Sequence, residues 1–128
     1  MKLSNRKILE DINALRMISQ KQLPVKISYF VAKNMTKIER ELKIYEKERR
    51  KLLEKYAERD EDDQFVVEDG KIQIADIDNW NKDIEELLDI EVDVKIHKLK
   101  LEDLLNANID IAPGELISID YMIEESDI

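Results

Sequence analysis

Few side chains in this sequence could support chemistry at a defined site. His97 is the only histidine and there is no cysteine, so neither a histidine pair nor a Cys–His pair can bind a metal ion or form a nucleophile with its base. The only glycines are Gly70 and Gly114, which excludes a dinucleotide-binding fingerprint and a P-loop. The 30 acidic residues are too many to indicate one catalytic pair. We therefore predict no catalytic residues, no metal site and no cofactor, and we expect that the protein is not an enzyme.

The acidic run at residues 60–63 is the densest group of carboxylates. It lacks the alternating ligand spacing and the central glycine of an EF-hand loop, so we interpret it as an exposed, charged loop. An acidic helix predicted further along the chain adds two more carboxylates. The residues that we expect to contact a partner are Asp60, Glu61, Asp62, Asp63, Asp83 and Glu86.

One short segment combines aromatic and basic residues in a way that is typical of nucleic-acid binding. Tyr29 and Phe30 lie between Lys26 and Lys33 in a region of helical pattern. Adjacent residues on a helix point in different directions, so one of the two rings must face the core. We therefore expect no direct binding of nucleic acid.

Charge divides the chain into two unequal parts. Residues 1–57 contain 15 Lys and Arg against 7 Asp and Glu, whereas residues 58–128 contain 6 against 23. The length of 128 residues suits one domain, 1–128, with a basic helical hairpin at 1–60 and an acidic portion at 61–128. No apolar run reaches the ~18 residues of a membrane span, so we expect no membrane contact, and the absence of cysteine fits a cytoplasmic protein.

Periodic apolar residues predict two helices that form the hairpin. Ser4 can cap a helix over about 5–20, Leu23-Pro24 breaks it, and a second helix runs from about 25 to 58 without Gly or Pro. Along the second helix, residues spaced by four and three form a coiled-coil-like seam. The residues of this seam are Val31, Met35, Ile38, Leu42, Tyr45, Arg49, Leu52 and Tyr56.

A third helix, capped by Asp76 or Asp78, is predicted to cover the second half of this seam. Trp80 and Ile84 lie on its apolar face, and we interpret Trp80 as a core anchor. Arg49 can extend its charged end to solvent, fix the register of the seam or pair with an acidic group of the second half, and we favour the pairing. If the first and third helices cover the whole seam, a monomer suffices; otherwise a homodimer must cover the rest, and we favour the homodimer.

The remaining pattern indicates strands and short helices. Asp69-Gly70 predicts a β-hairpin over 65–74, in which Val67 faces Ile72 and Phe65 faces Ile74. Alternating residues at 90–97 predict a third strand of the same sheet. A helical turn is expected at 101–105, and a last helix at 113–124, although 115–123 also alternates as a strand would. The fold class is thus α+β, mainly helical, with a small antiparallel sheet.

Three segments in this order resemble a family of small, uncharacterised proteins from bacteriophages and prophages of low-GC Gram-positive bacteria. They are LPVKISYFVAKN at 23–34, DIEVDVKIH at 89–97 and APGEL at 112–116. The resemblance implies a phage origin and a setting in the host cytoplasm, and it lends no site residues. It also implies action by binding, because small phage accessory proteins often assist replication or assembly or block a host protein.

These observations favour a non-enzymatic accessory protein that acts through protein–protein interaction. Residues 58–91 contain 14 acidic against 3 basic residues, so they could imitate a phosphate backbone and occlude a host or defence protein that has a basic groove. One alternative is a binder that sequesters a small molecule or nucleotide. Another is a scaffold factor for phage replication or assembly.

Overall fold

The computed structural model describes residues 1–124 of the chain. Helices predominate, and every strand is only two or three residues long, which confirms the mainly helical α+β fold class. A 3₁₀ turn over Asp120–Met122 follows the last helix. In chain order the elements are β1 (Lys2–Ser4), α1 (Asn5–Ser19), α2 (Val25–Tyr56), β2 (Val67–Glu68), β3 (Lys71–Ile72), α3 (Ile77–Leu88), β4 (Glu91–Asp93), β5 (Leu99–Lys100), α4 (Leu101–Asn106), α5 (Pro113–Ser118) and β6 (Ile123–Glu124).

The first two helices begin where the sequence supplies their signals. The Ser4 hydroxyl accepts a hydrogen bond from the Lys7 backbone N–H at 3.1 Å, which satisfies one free donor at the start of α1. Pro24 immediately precedes α2. Proline has no backbone N–H to donate, so a helix tolerates it at the start but not in the interior. From there α2 runs unbroken for 32 residues, a length of about 48 Å at 1.5 Å per residue.

The seam of α2 is covered by helices of the same chain. Packing of α1 against α2 buries Val31, Ile38, Leu42 and Tyr45 in the hydrophobic core. Further along, α3 packs on the C-terminal half of α2. Both halves of the seam thus have intramolecular partners, which is the condition under which we expected a monomer to suffice; the homodimer stays a prediction. The other apolar seam residues, which are half-buried, are Met35, Leu52 and Tyr56.

Two expectations about the α2–α3 contact are wrong. Arg49 is exposed and has no carboxylate of the described chain within salt-bridge distance; its guanidinium lies 5.9 Å from the centre of the Trp80 ring. Trp80 is half-buried rather than a core anchor, as is Ile84. The cation–π contact explains both results, because a ring that holds a solvated guanidinium must stay near the surface.

The strand predicted at 90–97 does not join the hairpin. Only β4 within it is a strand, and β4 pairs antiparallel with β1, with Leu3 opposite Val92. Among residues 1–124 the strands form three separate two-stranded sheets, β1–β4, β2–β3 and β5–β6. The N-terminal residues, which we did not predict to be a strand, take the position that we assigned to the hairpin.

The hairpin itself forms at its predicted turn but not at its base. Asp69 and Gly70 both have positive φ, as a type I′ turn requires, and Val67 faces Ile72. The predicted pair of Phe65 with Ile74 is wrong, because the chain leaving α2 lies between them. There Glu58 donates its N–H to the Gln73 carbonyl and accepts from the Val66 N–H, at 2.9 and 3.0 Å.

The last predicted helix is shorter than expected. The α5 helix ends at Ser118, and after the 3₁₀ turn the chain forms β6, which pairs parallel with β5. The interpretation of 113–124 as one helix is therefore wrong beyond Ser118, and the strand alternative holds only from Ile123. Ile119 and Met122 are fully buried, so the chain turns at this point in order to place both in the core.

Tyr121 lies where the C-terminal part of the described chain packs against α1. Its ring is half-buried, and the Lys7 ammonium lies 5.8 Å from the ring centre. Burial, with a smaller contribution from the negative charge of Asp11, raises the pKa of Tyr121 to about 12. The ordinary pKa of tyrosine is near 10, so the unfolded chain loses this proton at a lower pH than the folded chain does.

We expect this difference to destabilise the fold in alkali. Between pH 10 and about 12 the unfolded state binds fewer protons at Tyr121, so the free energy of unfolding falls as pH rises through this window. Tyr121→Phe cannot ionise and should lose less stability over the same range in chemical unfolding. The matched control is Tyr29→Phe, at an exposed ring. An equal alkaline loss in Tyr121→Phe and the parent protein would contradict the prediction.

Candidate protein interaction site

A groove lined by carboxylates and apolar side chains lies between the C-terminal half of α2 and α3. It has a volume of about 420 Å³ and is open to solvent. Its apolar side chains come from both helices and from the residue that precedes β4, and its carboxylates come from both helices. The residues that line this acidic groove are Glu48, Leu52, Asp83, Glu86, Leu87 and Ile90.

The position of Asp83 is fixed by the end of α2. The Tyr56 hydroxyl donates a hydrogen bond to Asp83 Oδ2. This bond raises the pKa of the Tyr56 phenol, because losing the proton would leave two negative charges in contact. The Lys55 ammonium lies 5.0 Å from the centre of the Tyr56 ring. Asp83 is therefore held at the groove by α2 while its other oxygen stays available.

Other acidic residues near the groove are already neutralised. Arg6 of α1 forms ion pairs with Glu85 and Asp89, so these two carboxylates tie α3 to α1. Glu86 of α3 has no such partner within the described chain. The two α3 residues that we predicted to contact a partner, Asp83 and Glu86, are therefore the ones that face the groove.

The four carboxylates at residues 60–63 lie elsewhere, in an exposed loop beyond the end of α2. Asp60 Oδ1 accepts hydrogen bonds from the backbone N–H groups of Asp62 and Gln64, at 2.9 and 3.0 Å, and so folds the loop on itself. The Asp63 carbonyl accepts from Arg59. None of the four lines the acidic groove. The structure thus separates the six predicted residues into a groove pair and a loop.

Sequence reasoning missed Glu48, the third carboxylate of the groove. Glu48 lies four residues before Leu52, so the two side chains lie one turn apart on the same face of α2. The signal was present, since an acidic residue beside the seam faces any helix that covers the seam. Lys51 donates to Glu48 at 2.9 Å, an exposed pair that leaves the carboxylate in contact with solvent.

A second residue that the sequence did not reveal is Asn34, which is fully buried on α2. Its side-chain oxygen accepts from the His97 backbone N–H at 2.8 Å, and its side-chain nitrogen donates to the His97 carbonyl at 2.9 Å. The Asn34 side chain thus holds the His97 backbone against α2. His97 is not part of a strand. A polar residue spaced three from Val31 and four from Ile38 was the available signal.

Comparisons of the chain with protein-family models, with curated proteins and with solved structures return no match. Within residues 1–124, no three His, Asp or Glu side chains converge closely enough to hold a metal ion. The same part of the chain contains no helix with the length and apolar character needed to cross a bilayer. The geometry of the acidic groove is therefore what bears on function.

Proposed function

We propose that this chain is a non-enzymatic interaction protein that binds a basic segment of a partner protein in the acidic groove. The observation that supports this most directly is the composition of the groove. Leu52, Leu87 and Ile90 supply its apolar lining, and Glu48, Asp83 and Glu86 supply three carboxylates. Such a site suits an amphipathic segment that has apolar residues on one face and Lys or Arg on the other.

We expect charge attraction to bring the partner to the groove and apolar contacts to stabilise the complex once it has formed. The portion of the chain that forms the hairpin and α3 is strongly acidic, which steers basic partners toward this end of the molecule. The apolar side chains of the groove then supply contacts that salt does not screen. High salt should accordingly weaken binding without abolishing it.

The resemblance to phage and prophage proteins supplies a biological setting for this proposal. In that setting the protein is a phage accessory factor in the host cytoplasm, and its partner is a host or phage protein with a basic surface. If that surface normally contacts nucleic acid, the acidic groove would occlude it in the manner of a DNA mimic.

The proposal can be tested with a defined probe. A fluorescein-labelled amphipathic peptide of lysine and leucine should bind the parent protein in fluorescence anisotropy, and a peptide with glutamate in place of lysine should not. Glu48→Gln combined with Glu86→Gln should weaken binding by about five- to tenfold, as expected for two charges of the groove. Glu10→Gln combined with Glu46→Gln, at exposed helical positions outside the groove, is the matched control.

A third variant separates the groove from the acidic loop. Glu61→Gln combined with Asp62→Asn removes two charges from the loop and should leave the affinity for the lysine peptide nearly unchanged. Equal weakening in the groove, loop and control variants would mean that only net charge matters and would refute the proposal. Weakening in the loop variant alone would assign binding to residues 60–63, and absence of peptide binding would exclude a basic partner.

A further inference from the structure

A row of aromatic rings lies on the side of α2 near its N-terminus. The ring centres of Tyr29 and Phe30 are 6.0 Å apart, and Phe30 stacks on His97 with centres 5.5 Å apart and planes only 5° from parallel. Tyr29 is the outer member of this row and is 56% exposed. The Lys33 ammonium lies 4.9 Å from the centre of its ring. The row therefore ends in an accessible ring next to a positive charge.

Lysines from two parts of the chain surround these rings. On α2 they are spaced by seven and four residues, which places them on one side of the helix. The segment 95–100 lies along this side because Asn34 binds the His97 backbone and Lys37 Nζ donates to the Lys95 carbonyl at 2.8 Å. We call this surface the basic face. Its cations are Lys26, Lys33, Lys37, Lys95, Lys98 and Lys100.

Most of this positive charge is not neutralised by the described part of the chain. Within residues 1–124, Lys26 is the one lysine of the basic face with a carboxylate in salt-bridge range, that of Asp103 at 3.8 Å. Burial lowers the pKa of His97, and the charges of Lys37 and Lys33 lower it further. Its ring is therefore neutral at pH 7 and suited to stacking.

One ring of the row shares a pocket with lysines of the basic face. A cavity of about 230 Å³ is lined by Phe30 and three of these lysines, and also by Asp103 and Glu124. The combination of an accessible ring, a stacked pair behind it and flanking lysines is the arrangement with which proteins bind unpaired bases and their phosphates. A basic surface for protein carboxylates alone would need no row of rings.

We propose that the basic face binds single-stranded nucleic acid, with a base stacked on Tyr29 and the flanking phosphates on the lysines. This inference goes beyond the proposed function, because it concerns another surface and another class of partner. It also differs from our expectation that the chain makes no direct contact with nucleic acid. That expectation considered four residues within the first turns of α2 and did not include the segment 95–100, which the structure places beside them.

The test uses a fluorescein-labelled oligothymidylate and the full chain at low ionic strength. Lys33→Glu combined with Lys98→Glu should weaken binding at least about tenfold. It should also make the slope of log Kd against log salt shallower by about 0.7 for each phosphate that a lysine no longer neutralises. Lys43→Glu combined with Lys71→Glu is the matched control, because it changes two exposed lysines away from the basic face by the same charge. The control should stay within about threefold of the parent protein.

Stacking is tested separately at Tyr29. Tyr29→Ala should weaken oligothymidylate binding by about five- to a hundredfold, whereas Tyr29→Phe should keep most of the affinity because it keeps the ring. Circular dichroism confirms that each variant is folded. Equal losses in the face and control variants, or no binding by the parent protein, would overturn the proposal. Binding of polyglutamate or duplex DNA as tight as that of oligothymidylate would also overturn it.

Discussion

Asn34→Ala should destabilise the protein by about 3 kcal/mol, because it leaves two buried backbone groups without partners. The Asn34 side chain is fully buried, accepts from the His97 N–H and donates to the His97 carbonyl. Alanine fills part of the space but satisfies neither group, and the segment that follows β4 loses its buried polar attachment to α2. Urea unfolding followed by circular dichroism measures the loss.

Asn34→Asp distinguishes loss of the hydrogen bonds from loss of volume. The aspartate can still accept from the His97 N–H, but when ionised it cannot donate to the carbonyl and places a charge in the core. Burial should raise its pKa, so protonation restores a donor, and the variant should regain stability relative to the parent protein as pH falls. Asn13→Ala, at an exposed position of α1, is the control and should change little. An Asn34→Ala loss no larger than that of Asn13→Ala would show that the two bonds contribute nothing.

Ile38→Ala should remove about 2–5 kcal/mol of stability. Ile38 is 2% exposed and packs in the core formed by α1 and α2. Truncation removes buried methyl groups and leaves a cavity that the surrounding rigid helices fill only in part. Domains of this size are typically stable by about 5–15 kcal/mol, so the variant should show a large fall in both its urea midpoint and Tm.

Ile44→Ala provides a control of the same residue type in the same helix. Ile44 is 54% exposed on the outer side of α2, so its truncation should change stability by less than about 0.5 kcal/mol. The comparison cancels differences in helix propensity, because both variants replace isoleucine by alanine within α2. Equal losses in the two variants would mean that the apolar seam does not organise the fold.

The first two helices were predictable because their signals are local. The spacing of Val31, Ile38 and Leu42 repeats along the chain, and Pro24 and Ser4 stand where a helix must begin. The turn at Asp69-Gly70 is local in the same sense, because a type I′ turn depends on the positive φ of its own two central residues. Each feature depends on residues within one or two turns of each other, and each formed where we predicted it.

The errors concern contacts between distant parts of the chain. Nothing in the pattern near Glu91–Asp93 indicates that its partner is β1 rather than the hairpin, since any alternating segment can pair with any other. No sequence pattern predicts the hydrogen bonds of Asn34 to the His97 backbone, because nearly every residue carries the same backbone groups. Glu48 likewise could be assigned to the acidic groove only once the packing of α3 on α2 was known, because the groove lies between these two helices.

The unbroken course of α2 fixes the spacing of the two proposed binding surfaces. Lys33 and Glu48 are fifteen residues apart on one continuous helix, which corresponds to about 22 Å along its axis. Because α2 is packed along both halves and bends little, the distance between the two surfaces is nearly constant. The chain could then bind, at both surfaces at once, a complex whose protein and nucleic-acid components lie that far apart. The first contact would hold the second at a high effective concentration and so strengthen it.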